Sequence, residues 1–346
     1  MIIKVNLFIV LVLAMSSCKS ENKAGLSTKP TPVPKAEKIV ESVKSEANKL
    51  DSSNTTIEVD SISQEAKEGS EPSLLAKVFK KEDQIAEHLD DDTYKLCKKK
   101  VFESRYQKLN AIKICKRMQL RPECKSVKGD PIFHYEKISR AAKGKRILVL
   151  SLIHGDEVPS GQISYSWLQR LISLNPRNSW RVIPMANPDG YFKRTRMNAN
   201  GVDINRNFPT KDWEELALKR WKTKKKSDPR KYPGAAANSQ PETQCLVNHI
   251  EDFQPDFIIS IHTPLGVLDF DGPKNLKLPK FKPLPWISLG NYPGSLGRYM
   301  WKERKVPVLT IELNNELAVY NLEKFDRLQD ISGTVAIQAI KKTEKK

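Results

Sequence analysis

The sequence contains no H-E-x-x-H, which excludes the helical zinc motif of many metalloproteases. Beyond its first 18 residues it holds no run of 18 apolar residues, so no further membrane-spanning helix is expected. Residues 19–72 hold no aromatic residue. So polar a stretch cannot bury enough apolar surface to offset its ordering entropy, and a packed core is excluded there. Cysteine is scarce, at five. The spacing of Cys97, Cys115, Cys124 and Cys245, with no His at the usual interval, does not suit a zinc finger. No internal repeat appears.

Acidic residues are in the minority: 41 Asp and Glu stand against 59 Lys and Arg in 346 residues, a formal charge of +18. Such a balance suits anionic surroundings, whether nucleic acid, acidic lipid or an acidic polymer. Solvation alone also satisfies dispersed lysines, and no nucleic-acid partner is expected.

What is present begins with Lys4, the apolar "VNLFIVLVLAM" and then "MSSC". This is the layout of a secretory signal peptide. The terminal Cys makes it resemble a bacterial lipoprotein signal. Residues 1–17 are therefore expected to be a signal, Cys18 a lipid anchor, and 18–72 a flexible tether. The expected place is the bacterial cell envelope, facing the periplasm. Cysteines there can oxidise. Three of the four remaining cysteines fall within residues 97–124, where a disulfide is plausible, although pairing cannot be read from sequence.

Residues 73–128 show helical spacing in "SLLAKVFKKEDQIAEHL" and "YQKLNAIKICKRMQL", and Pro122 ends the second pattern. A small helical extension is expected. Over residues 129–341 strands and helices alternate, which argues for an α/β domain. "KRILVLSLI" reads as a strand buried on both faces. "SGQISYSWLQRLISL" and "ETQCLVNHIEDF" read as helices, and "WRVIPMANP", "DFIISIH" and "VPVLTIEL" as strands. "LALKRWKTKKKSDPRKYPG" reads as a solvated basic insertion.

Three of these strands end in chemistry. The first delivers His154, with Glu157 three residues on. "DFIISIH" ends in His262 and "VPVLTIE" in Glu312. Ligand sites of open α/β sheets form at the carboxyl ends of strands. Two His and a Glu are the ligand set of a catalytic zinc with one open position. Gly155 would let His154 and Glu157 reach one ion across a tight turn. Glu312 is then left as the carboxylate that takes a proton from water and gives it to the leaving amine. "NPDGYFKRTRMNANGVDINRNFP" adds Arg194, Arg196, Asn205 and Arg206 among strong turn formers. Asn205 and Arg206 can hold a carboxylate, and a further Arg can stabilise an oxyanion.

"HGDE", "NPDGY", "GVDINRNFP", "SIHTPLG" and "TIEL", in this order, resemble the M14 zinc carboxypeptidases. The resemblance covers roughly residues 130–330. "YPGAAANSQPET" and "DFDGP" further resemble the bacterial murein peptide amidase branch, which cuts the γ-D-glutamyl–diaminopimelate bond. The resemblance implies an α/β/α sandwich around a mixed, mostly eight-stranded sheet, and one Zn2+ per chain. It implies His154, Glu157 and His262 as zinc ligands, Glu312 as general base, and Asn205 with Arg206 as the pair for the terminal carboxylate. The oxyanion arginine falls on Arg194 or Arg196. Asp269 or Asp271 either binds the amino group of a diaminopimelate-like side chain or merely shapes a turn. Two features depart from the family pattern: Gln240 where a Glu is common, and "NNE" after Glu312. Tyr292 and Tyr320 are candidates for a tyrosine closing over the substrate. The expected substrate is a murein peptide. A carboxypeptidase acting on ordinary L-peptides needs the same site, and an inactive murein-binding lipoprotein is the reading from another class.

Overall fold

The buried run Arg146–Ser151 forms strand β3. Successive side chains of a strand point to opposite faces, so Ile147 and Val149 enter one core while Leu148 and Leu150 enter another. The computed structural model describes residues 90–103, 110–274, 276–314 and 321–344. Among them seven strands make one sheet: β1 (Gln119–Lys125), β2 (Pro131–Lys137), β3, β4 (Ser179–Ile183), β5 (Phe257–His262), β6 (Val267–Asp271) and β7 (Val308–Glu312). Their order is β1-β2-β4-β3-β5-β7-β6, seven among the described residues where the family pattern implied mostly eight. The central four, β4, β3, β5 and β7, run parallel. β1, β2 and β6 pair antiparallel at the flanks.

The helices in chain order are α1 (Asp91–Glu103), α2 (Ala111–Cys115), α3 (Val158–Ser173), α4 (Pro188–Lys193), α5 (Trp213–Lys224), α6 (Pro241–Phe253) and α7 (Leu322–Glu344). α3 and α7 cover the Ile147 and Val149 face with Ile163, Trp167, Leu328 and Val335. The Trp167 indole N–H donates to the Phe325 carbonyl at 2.8 Å, which locks the two helices together. α6 covers the opposite face with Leu246, Ile250 and Phe253. The result is the expected three-layer α/β/α sandwich around a mixed sheet.

One expectation needs correction. The signal (1–17), Cys18, the tether (18–72) and the first helix read in 73–89 lie outside the described residues. Within 90–128, α1 and α2 are helical, but Gln119–Lys125 is strand β1, paired with β2 through Gln119↔His134 and Leu120↔Phe133. Pro122 disfavours helix at Arg121 before it. Its missing N–H is tolerated because β1 is an edge strand. The helical extension therefore has no boundary at residue 128, since β1 belongs to the same sheet as the strands beyond it.

Two disulfides fasten this N-terminal part: Cys97–Cys115 joins α1 to α2, and Cys124–Cys245 joins β1 to α6. The second spans 121 residues against 18 for the first. A longer closed loop removes more entropy from the unfolded chain, so C124S/C245S is expected to cost more than C97S/C115S, within a range of about 2–5 kcal/mol. Urea unfolding of the two double variants compares them directly. A larger loss for C97S/C115S would show that the long bridge does not act through the unfolded chain.

Candidate metal centre and its cleft

β3 stops at Ser151, and the chain turns through Leu152 in a left-handed conformation, φ 48°, to present His154 at the carboxyl edge of the sheet. Gly155 is required for a reason the sequence does not reveal. A Cβ there would stand 1.9 Å from the backbone carbon of Gly190 and 2.2 Å from the nitrogen of Tyr191. The turn is pressed against the start of α4, and only glycine fits. His262 is the last residue of β5, and Glu312 the last of β7. The two are direct partners in the parallel ladder. Sheet register thus brings together His262 and Glu312, 50 positions apart in sequence, and the turn after β3 adds His154, 108 positions before His262.

His154, Glu157 and His262 converge, all three buried. Glu157 Oε1 lies 2.7 Å from His154 Nδ1, and its Oε2 lies 2.9 Å from His262 Nδ1. The two Nδ1 atoms are 3.2 Å apart. Each ring is fixed by its other nitrogen: His154 Nε2 faces Asp203 Oδ1 at 3.1 Å, and His262 Nε2 faces Ser260 Oγ at 2.8 Å. A ligating imidazole typically donates its second N–H in this way, leaving the first nitrogen's lone pair for the ion. The set fits a zinc ion in residue type, convergence and outer hydrogen bonds. The like-minded acceptors Nδ1, Nδ1 and carboxylate are the arrangement a cation stabilises.

A second trio, Cys124, Cys245 and His249, is also close enough to hold a metal. Its sulfurs are joined in a disulfide and offer no thiolate. The His249 ring packs instead on His134, with centroids 4.6 Å apart.

Asp203 is the functional residue that sequence reasoning missed. It is fully buried. Its Oδ1 accepts from His154 and from the Asn205 backbone N–H at 3.0 Å, and its Oδ2 accepts from Arg196 Nε at 3.0 Å. One carboxylate therefore ties a metal-site histidine to an arginine and to the turn carrying Asn205 and Arg206. Burial opposes its charge, but Arg196 and then His154 hold its carboxyl well below the usual range. The signal was available in "GVDINR", an Asp two residues before the Asn, in a position to cap a short helical turn.

A cleft of about 400 Å³ opens over the triad. Arg196, Asn205, Arg206, Asp269, Asp271, Tyr292 and Glu312 all line it. Arg196 also approaches Glu157 at 3.5 Å. Arg194 does not reach the cleft: it closes α4 in a left-handed conformation and stacks on Tyr191 at 5.0 Å. Of the two arginines the sequence left open, Arg196 is the one that lines the cleft. Asn205 accepts the Leu296 N–H at 2.9 Å through its amide oxygen, which leaves its NH2 as a donor. Gly294 lets this loop come close, since a Cβ there would meet the Arg206 carbonyl oxygen at 1.9 Å. Arg206 lies over the Tyr292 ring at 4.8 Å, whereas Tyr320 lies outside the described residues. Burial raises the pKa of Asp269, and burial followed by the Asp269 charge pushes Asp271 up to about 6. "DFDGP", for which a turn was one of two readings, has Asp269, Phe270 and Asp271 in strand β6.

The basic insertion differs from its solvated reading. Lys225, Arg230 and Lys231 line the same cleft. Arg230 donates to Asp156 at 2.6 Å, so the middle residue of "HGDE" anchors the insertion rather than a metal.

Residues 106–269 match the zinc carboxypeptidase family model, peptidase M14. Murein peptide amidase A of Vibrio campbellii (strain ATCC BAA-1116) is 33% identical over 208 residues, covering 58% of this chain and 81% of that protein. The protein of the same name from Escherichia coli K12 is 33% identical over 183 residues, covering 51% and 73%. The crystal structure of carboxypeptidase A from Helicoverpa armigera aligns with a TM-score of 0.50 at 18% identity, covering 69% of this chain and 74% of that one, a likeness of fold. With a third of the aligned residues identical across four-fifths of a curated relative, the chain belongs to the M14 zinc carboxypeptidase family and is a hydrolase of peptide bonds.

Proposed function

We infer that the chain hydrolyses the C-terminal amide of murein peptides, the γ-D-glutamyl–diaminopimelate bond, with one zinc ion held by His154, Glu157 and His262. The observation that carries this reading is the meeting, in one cleft, of that triad with Glu312, Arg196 and the Asn205–Arg206 pair. The murein peptide amidases among its relatives support the substrate. Bound zinc supplies a Lewis acid that polarises the scissile carbonyl and lowers the pKa of water. Glu312 accepts the proton of the attacking water and delivers it to the leaving amine. Arg196, held by Asp203, meets the negative charge that develops on the carbonyl oxygen. Arg206 and the Asn205 amide hold the terminal carboxylate and set the distance from it to the scissile bond.

Asp269 and Asp271 favour this substrate over an ordinary apolar C-terminus. An apolar side chain would desolvate two carboxylates without a counter-charge, whereas the ammonium of diaminopimelate supplies one. The lipoprotein-type start of the sequence and the two disulfides support a cell-envelope location.

Incubation with L-Ala-γ-D-Glu-diaminopimelate is expected to release diaminopimelate. A chelator should lower the rate by at least about a hundredfold, and added zinc should restore it. Release that ignores the chelator would remove the metal from the mechanism. Faster release of apolar L-residues from ordinary peptides would favour the broader carboxypeptidase.

A further inference from the structure

Tyr292 is the meeting point of three cations. Arg206, Arg220 and Lys225 lie 4.8, 4.9 and 4.8 Å from its ring centroid. Arg206 leans on the buried charge of Asp203. Arg220 and Lys225 come from α5 and its end, and neither has an ion-pair partner among the described residues. Their neighbours do: Arg230 pairs with Asp156, and Lys231 with Asp228. An aromatic face attracts a cation only weakly at a wet site, and three like charges around one ring repel one another. Solvent-seeking side chains would spread apart, but these converge on one ring: Arg206, Lys225 and Tyr292 line the cleft, and Arg220 lines a small hollow of about 20 Å³ that shares those three residues.

The segment that carries them is built in place. The Trp221 indole N–H donates to the Asp228 carbonyl at 2.8 Å, and its ring packs on Tyr232 at 4.9 Å. Beyond the loop, the Tyr232 carbonyl accepts the Asp203 backbone N–H at 2.8 Å. Arg230 grips the residue next to Glu157. The insertion is thus tied to the metal loop at one point and to the Asp203 turn at another, with two unpaired cations facing Tyr292.

We propose that Arg220 and Lys225 form a second anion subsite in the hollow adjoining the cleft at Tyr292, which binds a substrate carboxylate other than the one held by Asn205 and Arg206. The proposal rests on the amide-hydrolase reading above and names its substrate class: peptides with at least two free carboxylates around the scissile bond. Two sources offer that chemistry, the side-chain carboxylate of the released diaminopimelate and the free α-carboxylate of the γ-linked glutamate.

The test uses the full, zinc-loaded chain, R220A/K225A and the length-preserving R220Q/K225Q. Activity is compared on L-Ala-γ-D-Glu-diaminopimelate and on two analogues, one with the diaminopimelate side-chain carboxylate amidated and one with the glutamate α-carboxylate amidated. The wild type is expected to prefer the free acid over one analogue by about tenfold in kcat/KM, mostly through KM. Both double variants should lose that preference, and the analogue concerned identifies the source. Equal use of all three peptides by the wild type, or a preference that survives in the variants, overturns the subsite while leaving the amidase reading intact. Calorimetry with glutarate against butyrate reads the subsite without turnover. The wild type should favour glutarate by about tenfold and the variants should not. Equal affinities overturn the proposal, and a glutarate preference lost in the variants of a protein that fails to cut the tripeptide upholds the subsite while the substrate reading falls.

Discussion

Glu312→Gln is expected to lower turnover by about 10²–10⁴-fold while the protein keeps its zinc. Gln matches Glu in shape, so the end of β7 and its pairing with His262 have no steric reason to change. What it loses is the ability to take a proton from water and return it to the leaving amine. The triad of His154, Glu157 and His262 does not include Glu312, so metal content should stay near that of the wild type. Stability should not fall either. Burial raises the pKa of Glu312, His262 lowers it and Glu157 raises it again. Removing a buried carboxylate beside another relieves desolvation and like-charge repulsion together. Three measurements check this: kcat on the murein tripeptide, zinc per chain and Tm. Full activity would show that another group serves as base, and loss of zinc would place Glu312 among the ligands.

The convergence of His154, Glu157, His262 and Glu312 was legible in the sequence because each sits at or just beyond the end of an apolar run, and strand ends are a strong local signal in an α/β chain. The layer architecture followed from the same alternation of strands and helices, whereas the packing of Gly155 against Gly190 did not. Of Asp203 only the capping position in "GVDINR" was legible, not its role behind His154 and Arg196. Its role comes from contacts with His154 and Arg196, 49 and 7 residues away, that exist only once β3 and the loop after α4 are packed together. The start of β1, Gln119 and Leu120, fell within a helical reading because the spacing of "AIKIC" runs on past Cys115, while the edge of the sheet and a disulfide to α6 decide its fate. The basic insertion looked like solvated charge, since composition says nothing of what a lysine faces. Between Arg194 and Arg196 the decision lay in a left-handed residue at the end of α4 that turns the first away from the cleft. Local pattern thus located the ligands, and tertiary packing chose the groups that hold and aim them.

Asp203 accordingly carries the second large expectation. Asp203→Asn should weaken zinc binding by about 10–100-fold, the usual cost of losing a partner behind a ligating histidine. The carboxamide oxygen can still accept from one neighbour, but it brings no charge to offset Arg196. That guanidinium is mostly buried, with 17% of its side chain exposed, and it loses the carboxylate 2.9 Å from its NH2 group. Activity should therefore fall further than zinc loss alone explains if Arg196 meets the developing oxyanion as proposed, because its guanidinium is no longer aimed. Saturating zinc separates the two effects: it should refill the triad and leave a residual defect in kcat. Asp203→Ala removes the acceptor as well as the charge and leaves an arginine unpaired in the interior, at a cost of about 3–5 kcal/mol in folding stability. Zinc affinity by chelator competition, kcat at saturating zinc and urea unfolding read the three consequences independently. Recovery of full kcat at high zinc in Asp203→Asn would limit Asp203 to the metal and leave Arg196 positioned by its other contacts.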